Sequence, residues 1–211
     1  MGTRHLSMVV KGGKIRVAQY GQWDGYPGGA GIKILNFLKI CDMNRFKKRI
    51  QTGVRFTTSA DRKERKEFLK QIGVNDEWLN MEQSTKYNLK FPFDSRDIGA
   101  DILELIYNSN EKIVLNNAKY FAYDGLFCEW LYLINLDTMM LEVYSGFHKT
   151  GDENSRFGNK PHPRTEYLPV QLLMEFDLNN LPSNKDFCLQ LEQLNDELYL
   201  KNKTLIINLK I

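Results

Sequence analysis

Two β-prone runs joined by a pair of glycines open the chain and constrain its fold more than any other feature. The runs cover residues 3–10 (TRHLSMVV) and 14–20 (KIRVAQY), with Gly12-Gly13 at the centre of the connection. A Gly-Gly pair between such runs is typical of a two-residue hairpin turn, because both turn residues need a positive φ. We therefore predict an antiparallel hairpin at the start of the chain.

The register of this hairpin follows from its turn. Because side chains alternate along a strand, the position of the turn decides which residues face each other across the pair. Counting outward gives the pairs Val10 with Ile15, Leu6 with Gln19, His5 with Tyr20 and Thr3 with Gln22. One face is then mostly apolar and is expected to face the core, while polar groups collect at the end of the hairpin away from its turn.

A second hairpin is predicted from residues 126–134 (LFCEWLYLI) and 139–146 (MMLEVYSG). Pairing Ile134 with Leu141 leaves both faces of these strands largely apolar, which is typical of strands covered on both sides. Helical periodicity begins at about Ile32 and recurs over 60–72, 98–106 and 184–200. The sequence therefore predicts an α+β fold: one domain over residues 1–211, with a mainly antiparallel sheet built from two hairpins and helices packed on it.

The C-terminal third contains further loop and strand patterns. Residues 148–164 are polar and contain two glycines and two prolines, which favours a long, mobile loop. A strand is expected near 166–176. After the last helix, residues 204–209 are apolar enough to add an edge strand.

Composition narrows the class of protein. The net charge of +3 is too small to indicate nucleic-acid binding unless the basic residues cluster. The three cysteines are odd in number and far apart, which is typical of free thiols in a reducing compartment. No apolar run is long enough for a membrane span, and the chain opens on a strand pattern, not a signal peptide. We expect a cytoplasmic protein without a cofactor, and without a metal site because no His or Cys pair has metal-ligand spacing.

The segment 21–31 (GQWDGYPGGAG) is the part of the sequence that says most about function. Loops rarely carry large aromatic side chains unless these are buried or bind something, and here Trp23 and Tyr26 flank Asp24. This loop, the open end of the first hairpin and the cluster 94–97 (DSRD) predict a site for a polar ligand with a ring, such as a nucleobase or a sugar. The expected ligand-binding residues are Thr3, Arg4, His5, Tyr20, Gln22, Trp23, Asp24, Tyr26 and Arg96.

Structural interpretations of the same residues stay open at this point. Aromatic side chains can pin a glycine-rich loop onto a sheet, with Asp24 capping local amides. Residues 28–31 (GGAG) lead into a helix whose free amides would favour an anion, although the phosphate-loop and dinucleotide fingerprints are missing. Arg96 either clamps an anion or belongs to a helix cap formed by Ser95 or Asp97.

Three residues are candidates for catalysis. Glu129 lies in an apolar strand beside Trp130, and burial raises the pKa of a carboxyl group, which suits a general acid or base. Its structural alternative is pairing with an arginine such as Arg4 or Arg96. His5 and Asp24 complete the set. In a hydrolase, Glu129 or Asp24 would act as the general base and His5 as the general acid, and both groups would have to lie within reach of one cavity.

Several motifs carry a resemblance. They are residues 2–6 (GTRHL), 17–27 (VAQYGQWDGYP), 95–100 (SRDIGA) and 127–130 (FCEW). The chain resembles a family of uncharacterised bacterial, phage and fungal proteins that begin GTRH and carry QYGQWDGYP. The resemblance implies no reaction, but phage membership would imply a counter-defence role. A fainter likeness to N-terminal nucleophile hydrolases fails on the nucleophile, since removal of Met1 would expose Gly2, one position before Thr3.

We therefore expect a protein that binds, or sequesters, a small nucleotide-like or anionic ligand. One alternative is a hydrolase that acts on a similar ligand through a carboxylate and a histidine. The other is a protein–protein interaction module that uses the aromatic loop and the loop 148–164. The sequence leaves open whether the protein is an enzyme and whether it has a protein partner or forms a homo-oligomer.

Overall fold

A computed structural model describes residues 2–74 and 78–208 of the chain. Its strands are β1 (His5–Lys11), β2 (Lys14–Gly21), β3 (Val54–Phe56), β4 (Ile113–Leu115), β5 (Trp130–Asn135), β6 (Met140–Ser145) and β7 (Gln171–Asp177). Its α-helices are α1 (Ile32–Ile40), α2 (Met43–Thr52), α3 (Ser59–Gln71), α4 (Met81–Lys90), α5 (Ile102–Asn108) and α6 (Asn184–Asn208). A π-helical turn at Pro27–Gly31 leads into α1, and a 3₁₀ turn at Gly99–Asp101 leads into α5.

The main sheet is mixed, with the strand order β2-β1-β5-β6-β7. Three of its neighbouring pairs are antiparallel, while β1 and β5 run parallel at the centre. The short strands β3 and β4 form a separate parallel pair. The predicted α+β class is confirmed, but the finer prediction of a sheet built from two hairpins is not, since a parallel pair joins them and β7 extends the sheet.

The first hairpin has the predicted pairing at its turn and a different pairing at its open end. Gly12 and Gly13 have φ of 63° and 65°, and Val10 lies opposite Ile15. A bulge then leaves Arg16 of β2 with no residue opposite it on β1. As a result, His5 lies opposite Gly21 and not opposite Tyr20. The predicted pairing failed there because one extra residue in a strand reverses the alternation beyond it.

The second hairpin has the predicted register, with Ile134 opposite Leu141. Both faces of its strands are covered, as expected for a central position. Trp130, Tyr132 and Ile134 belong to the core on one face, while Leu131 and Leu133 belong to the core on the other. The side chains of β5 therefore alternate between two hydrophobic cores, one on each side of the sheet.

The C-terminal elements differ from the sequence prediction. β7 begins at Gln171, later than the predicted 166, and α6 continues to Asn208. Residues 204–208 are therefore helical, not an edge strand, and residue 209 of that prediction lies outside the described residues. Residues 148–164 contain no helix or strand, and their mobility stays a prediction. Within the described part of the chain, no helix combines the length and the apolar character that a membrane crossing requires.

Candidate functional site

The loop 21–31 folds back against the start of β1. The Gly25 amide donates to the Thr3 carbonyl over 2.9 Å, and the Tyr132 hydroxyl donates to the Gly25 carbonyl over 2.9 Å. Asp24 adopts a φ of 52°, a left-handed conformation that Asp tolerates better than most residues. These contacts fix the Trp23-Asp24 turn beside the end of the sheet where β1 begins and β2 ends.

The amides that were expected to be free before α1 are used inside the loop. The amides of Gly29 and Gly31 donate to the Tyr26 carbonyl, over 3.0 and 3.4 Å, and the Ala30 amide donates to the Asp24 carbonyl over 2.7 Å. The predicted anion site at 28–31 is therefore wrong for these three amides. The π-helical turn explains the difference, because it brings these amides onto carbonyls of its own loop.

A cavity of about 480 Å³ opens between this loop and residues 96–100, and we call it the His5 cavity. It brings together five residues that the sequence placed in the site: His5, Gln22, Trp23, Asp24 and Arg96. Lys33 and Asp97 also line it, as do the small residues Gly21, Ala30, Gly99 and Ala100, together with Ile98. Residues more than 70 positions apart thus meet in one hollow, which the sequence could suggest but not show.

His5 forms part of the inner wall of this cavity. It is 2% exposed, and neither ring nitrogen makes a hydrogen bond of good geometry with residues 2–74 or 78–208. Burial lowers the pKa of His5 to about 4, and the positive charge of Lys33 acts in the same direction. The Asp101 carboxylate and a poorly aligned hydrogen bond with the Trp23 backbone oppose this shift to a smaller extent. At neutral pH the imidazole is therefore uncharged, with one donor and one acceptor.

Glycines make room for this imidazole. A Cβ on Gly21 would overlap the ring of His5, and a Cβ on Gly99 would lie 2.9 Å from both Cε1 and Nε2. Gly99 also has a φ of 48°, a conformation that side-chain-bearing residues rarely adopt. The shifted register of the first hairpin is what places Gly21, and not Tyr20, opposite His5.

Trp23 forms a fixed aromatic wall of the cavity. Its indole Nε1 donates to Asp97 Oδ1 over 2.9 Å, and its ring packs closely on the backbone of Gly2. These contacts cover only part of the ring, and Trp23 remains 50% exposed. Asp97 is thus a partner of the indole and not the helix cap that the sequence allowed. The Gln22 amide also donates to the Arg96 carbonyl over 3.1 Å, which joins the two loops.

Charged side chains lie at the outer rim. Arg96 is exposed, and its side chain makes no salt bridge or hydrogen bond within the described part of the chain. Lys33 is paired with Asp101, at 2.9 Å from each carboxylate oxygen. Asp24 is exposed as well. Arg96 is therefore the rim cation whose donors are not already used by the protein.

Four predicted binding residues lie outside the cavity wall. Thr3 contributes its backbone carbonyl to the loop, and the Tyr20 hydroxyl donates to Gln22 Oε1 over 2.6 Å. Burial raises the pKa of Tyr20, so this hydroxyl stays protonated and orients the Gln22 amide. Tyr26 is 46% exposed, and its ring lies beside Gly28. The guanidinium of Arg4 lies over the Phe127 ring, 4.5 Å from its centroid.

Glu129, the first catalytic candidate, does not line the His5 cavity. Its Oε1 accepts a hydrogen bond from the Arg4 amide over 3.1 Å, and its own amide donates to the Arg4 carbonyl over 3.2 Å. This exchange joins the start of β1 to the residue before β5. The structure therefore brings Asp24, and not Glu129, into the same cavity as His5.

Sequence reasoning missed a second polar cluster, around Glu142 of β6. Glu142 is 2% exposed, and its carboxylate accepts hydrogen bonds from Asn135 over 3.0 Å, from the Tyr144 hydroxyl and from two nitrogens of Arg156 over 2.6 and 2.9 Å. Arg156 belongs to the loop 148–164, so this ion pair ties that loop to the sheet. A lone Glu between Leu141 and Val143, with Asn135 opposite Met140, was the pattern that could have revealed it.

The same cluster borders a cavity of about 780 Å³ and includes a buried histidine. His148 is 4% exposed, and its Nε2 lies 2.8 Å from Ser145 Oγ. Burial lowers the pKa of His148 to about 4. In contrast to His5, this imidazole has a side-chain partner at hydrogen-bond distance.

Comparisons with known proteins found no match to a family model, to a curated protein or to a solved structure. The resemblance to the GTRH proteins therefore stays a prediction. Arguments about function rest on the geometry of the site.

Proposed function

We propose that the protein binds a small nucleotide-like or anionic ligand in the His5 cavity. The observation that carries this proposal is His5 itself, a 2% exposed imidazole in the cavity wall whose two nitrogens make no hydrogen bond of good geometry with the residues that the structure describes. Leaving a buried polar group without a hydrogen bond costs about 1–3 kcal/mol, and a ligand that supplies the partner recovers part of that cost.

The dimensions and chemistry of the cavity support the same proposal. Its volume of about 480 Å³ lies within the range of small-molecule sites. Trp23 offers a flat apolar wall whose orientation is already fixed by Asp97, so stacking a ring on it costs little side-chain entropy. Gln22 and Asp24 add polar groups, and Arg96 adds an unpaired guanidinium at the rim.

Binding can be tested by thermal shift and calorimetry with a panel of nucleosides, nucleotides and sugar phosphates. We expect at least one compound to stabilise the protein, and Trp23→Ala to abolish that stabilisation. Trp78→Ala is the matched control, because Trp78 is 86% exposed and does not line the cavity. Absence of binding across the panel, with both variants folded, would contradict the proposal.

A hydrolase acting at the same cavity is the second candidate, favoured by the presence of Asp24 and His5 around one cavity. The lowered pKa of His5 makes it a base at neutral pH, not the general acid that the sequence interpretation assigned. Mass analysis of a bound compound after incubation distinguishes the two candidates. A binding protein returns its ligand intact, whereas a hydrolase returns products.

We place this function in the cytoplasm, because Cys41, Cys128 and Cys188 are all free thiols. A phage counter-defence role would follow if the resemblance to the GTRH proteins holds. Sequestration of a signalling nucleotide would then be the activity to look for. The same ligand panel tests this, since a sequestering protein binds without turnover.

A further inference from the structure

The walls of the His5 cavity differ in charge between its inner and outer parts. The inner wall is formed by the neutral His5 imidazole and by small residues, among them Gly21, Gly99 and Ala100. Bringing a phosphate or a carboxylate against such a wall would remove its hydration without supplying a compensating charge. An uncharged ring edge with a donor and an acceptor meets no such cost and can pair with the imidazole.

The outer rim has a different composition. Arg96 presents a guanidinium that makes no salt bridge in the described part of the chain, and its planar group suits two-point binding of a phosphate or carboxylate. Lys33 is already held by Asp101. An anionic group of a ligand therefore finds its partner at the mouth of the cavity.

The rim also limits how much negative charge a ligand can carry. Its two lining cations, Arg96 and Lys33, are matched by two lining carboxylates, Asp24 and Asp97, and Lys33 is also paired with Asp101. The rim therefore has no excess of positive charge, and the further charges of a ligand with several phosphates would find no counterpart beyond Arg96. One anionic group satisfies Arg96 and leaves no charge without a counterpart.

We infer that the ligand has a single anionic group and that it binds with its ring inward, between Trp23 and His5, and its anion outward on Arg96. A nucleoside monophosphate, or a ring-bearing monoanion of similar size, has this chemistry. This inference rests on the proposed function, since it assigns the ligand class and the orientation at the same cavity.

The test compares four probes by calorimetry: a nucleoside, its 5′-monophosphate, its 5′-triphosphate and inorganic phosphate. The nucleoside is the one that gives the largest thermal shift in the panel described above. We expect the monophosphate to bind most tightly, the nucleoside to bind more weakly and inorganic phosphate not to bind. Arg96→Gln should weaken the monophosphate about tenfold and change the nucleoside less than about twofold.

Arg62→Gln provides the matched control, because Arg62 is an exposed arginine on α3, which contributes no residue to the cavity wall. Tight binding of inorganic phosphate without binding of the nucleoside would overturn the inward ring, while ligand binding itself would stand. A triphosphate that binds more tightly than the monophosphate would overturn the single-anion assignment. Failure of every probe, with the protein folded, would instead count against the proposed function.

Discussion

His5 and Glu142 are both 2% exposed polar residues of one sheet, yet their surroundings are opposite. The Glu142 carboxylate accepts hydrogen bonds from Asn135, Tyr144 and Arg156. In the part of the chain that the structure describes, neither nitrogen of His5 makes a hydrogen bond of good geometry. A carboxylate stays charged at neutral pH and is too costly to bury without partners. An imidazole can lose its proton and stay buried as a neutral group.

This difference suggests how to separate structural from functional polar residues inside a protein. A polar group whose hydrogen bonds are all made by its own chain contributes to the fold and gains little from a ligand. A polar group that lacks them and also borders a cavity has interactions still to make. By this criterion Glu142 fastens the loop 148–164, whereas His5 marks the cavity for which we propose a ligand.

The largest effect that tests this comparison is the response to acid. Burial lowers the pKa of His5 and of His148 to about 4, from an ordinary value of 6.5. Between these values the unfolded chain binds the protons and the folded chain does not, so lowering the pH favours unfolding. The free energy of unfolding, measured with urea, should fall by roughly 3 kcal/mol for each histidine between pH 6.5 and pH 4.

The contributions of the two histidines can be separated. Replacing His148 by Gln removes its titration while keeping a polar group near Ser145, so His148→Gln should remove about half of the acid-induced loss. A bound ligand that hydrogen-bonds His5 should alter only the remaining half. A pH profile that is the same in His148→Gln and in the unmodified protein would contradict the assigned pKa of His148.

Breaking the Glu142 ion pair should have the next largest effect. Arg156→Met leaves a buried carboxylate without its guanidinium, and such a loss costs about 3 kcal/mol. Arg156 is 41% exposed, so water replaces part of the interaction and the low end of the usual range applies. Urea unfolding measures the change. The double variant Arg156→Met/Glu142→Gln should be more stable than Arg156→Met alone, because it also removes the unpaired charge.

Disturbing the packing around His5 should lower the free energy of unfolding less than breaking the Glu142 ion pair does. Gly99→Ala should destabilise the protein by about 2–3 kcal/mol, because the left-handed φ costs about 1–2 kcal/mol and the new methyl group crowds the imidazole. Gly158→Ala is its control, since Gly158 also has a positive φ but open space where the Cβ would be. Equal losses in thermal unfolding of the two variants would show that the contact with His5 adds nothing.

The smallest effect is expected at the aromatic wall. Trp23→Phe keeps a ring but removes the Nε1 donor to Asp97, which should lower the free energy of unfolding by about 1 kcal/mol. Trp78→Phe, at a residue that is 86% exposed, should change it less. If the Trp23 ring takes part in binding, Trp23→Phe should reduce the free energy of ligand binding by more than it reduces the free energy of unfolding.

Sequence reasoning identified features that depend on residues close together in the sequence. It missed those that depend on residues far apart in the sequence. The Gly12-Gly13 turn and the pairing of Ile134 with Leu141 follow from turn chemistry and alternation, and both are present. The bulge at Arg16 left no mark in the sequence, and it changed the partner of His5. Apolar residues near the C-terminus predicted a strand at 204–209, although such short runs fit a helix equally well.

The candidate site shows the same division. The residue types of the aromatic loop pointed to Trp23, Asp24 and Gln22, and the cavity includes them. The space that holds the His5 imidazole, however, depends on Gly99. This glycine is 94 residues from His5 in the sequence and was not predicted as a site residue. Glu129 was a catalytic candidate because burial in an apolar strand suits a general acid or base, but its carboxylate accepts a hydrogen bond from the Arg4 amide and does not line the cavity. Such contacts depend on how distant segments of the chain pack against each other. The spacing of residues along the sequence does not reveal that packing.

The parallel pairing of β1 with β5 has a consequence for how the chain is made. His5 lies opposite Trp130, so the N-terminal hairpin must wait for well over a hundred further residues before its inner edge is covered. During synthesis that edge exposes backbone groups able to pair with a neighbouring chain, and a sheet with such distant contacts forms slowly. Yield on refolding should therefore depend on protein concentration, with intermolecular pairing along β1 competing against the arrival of β5.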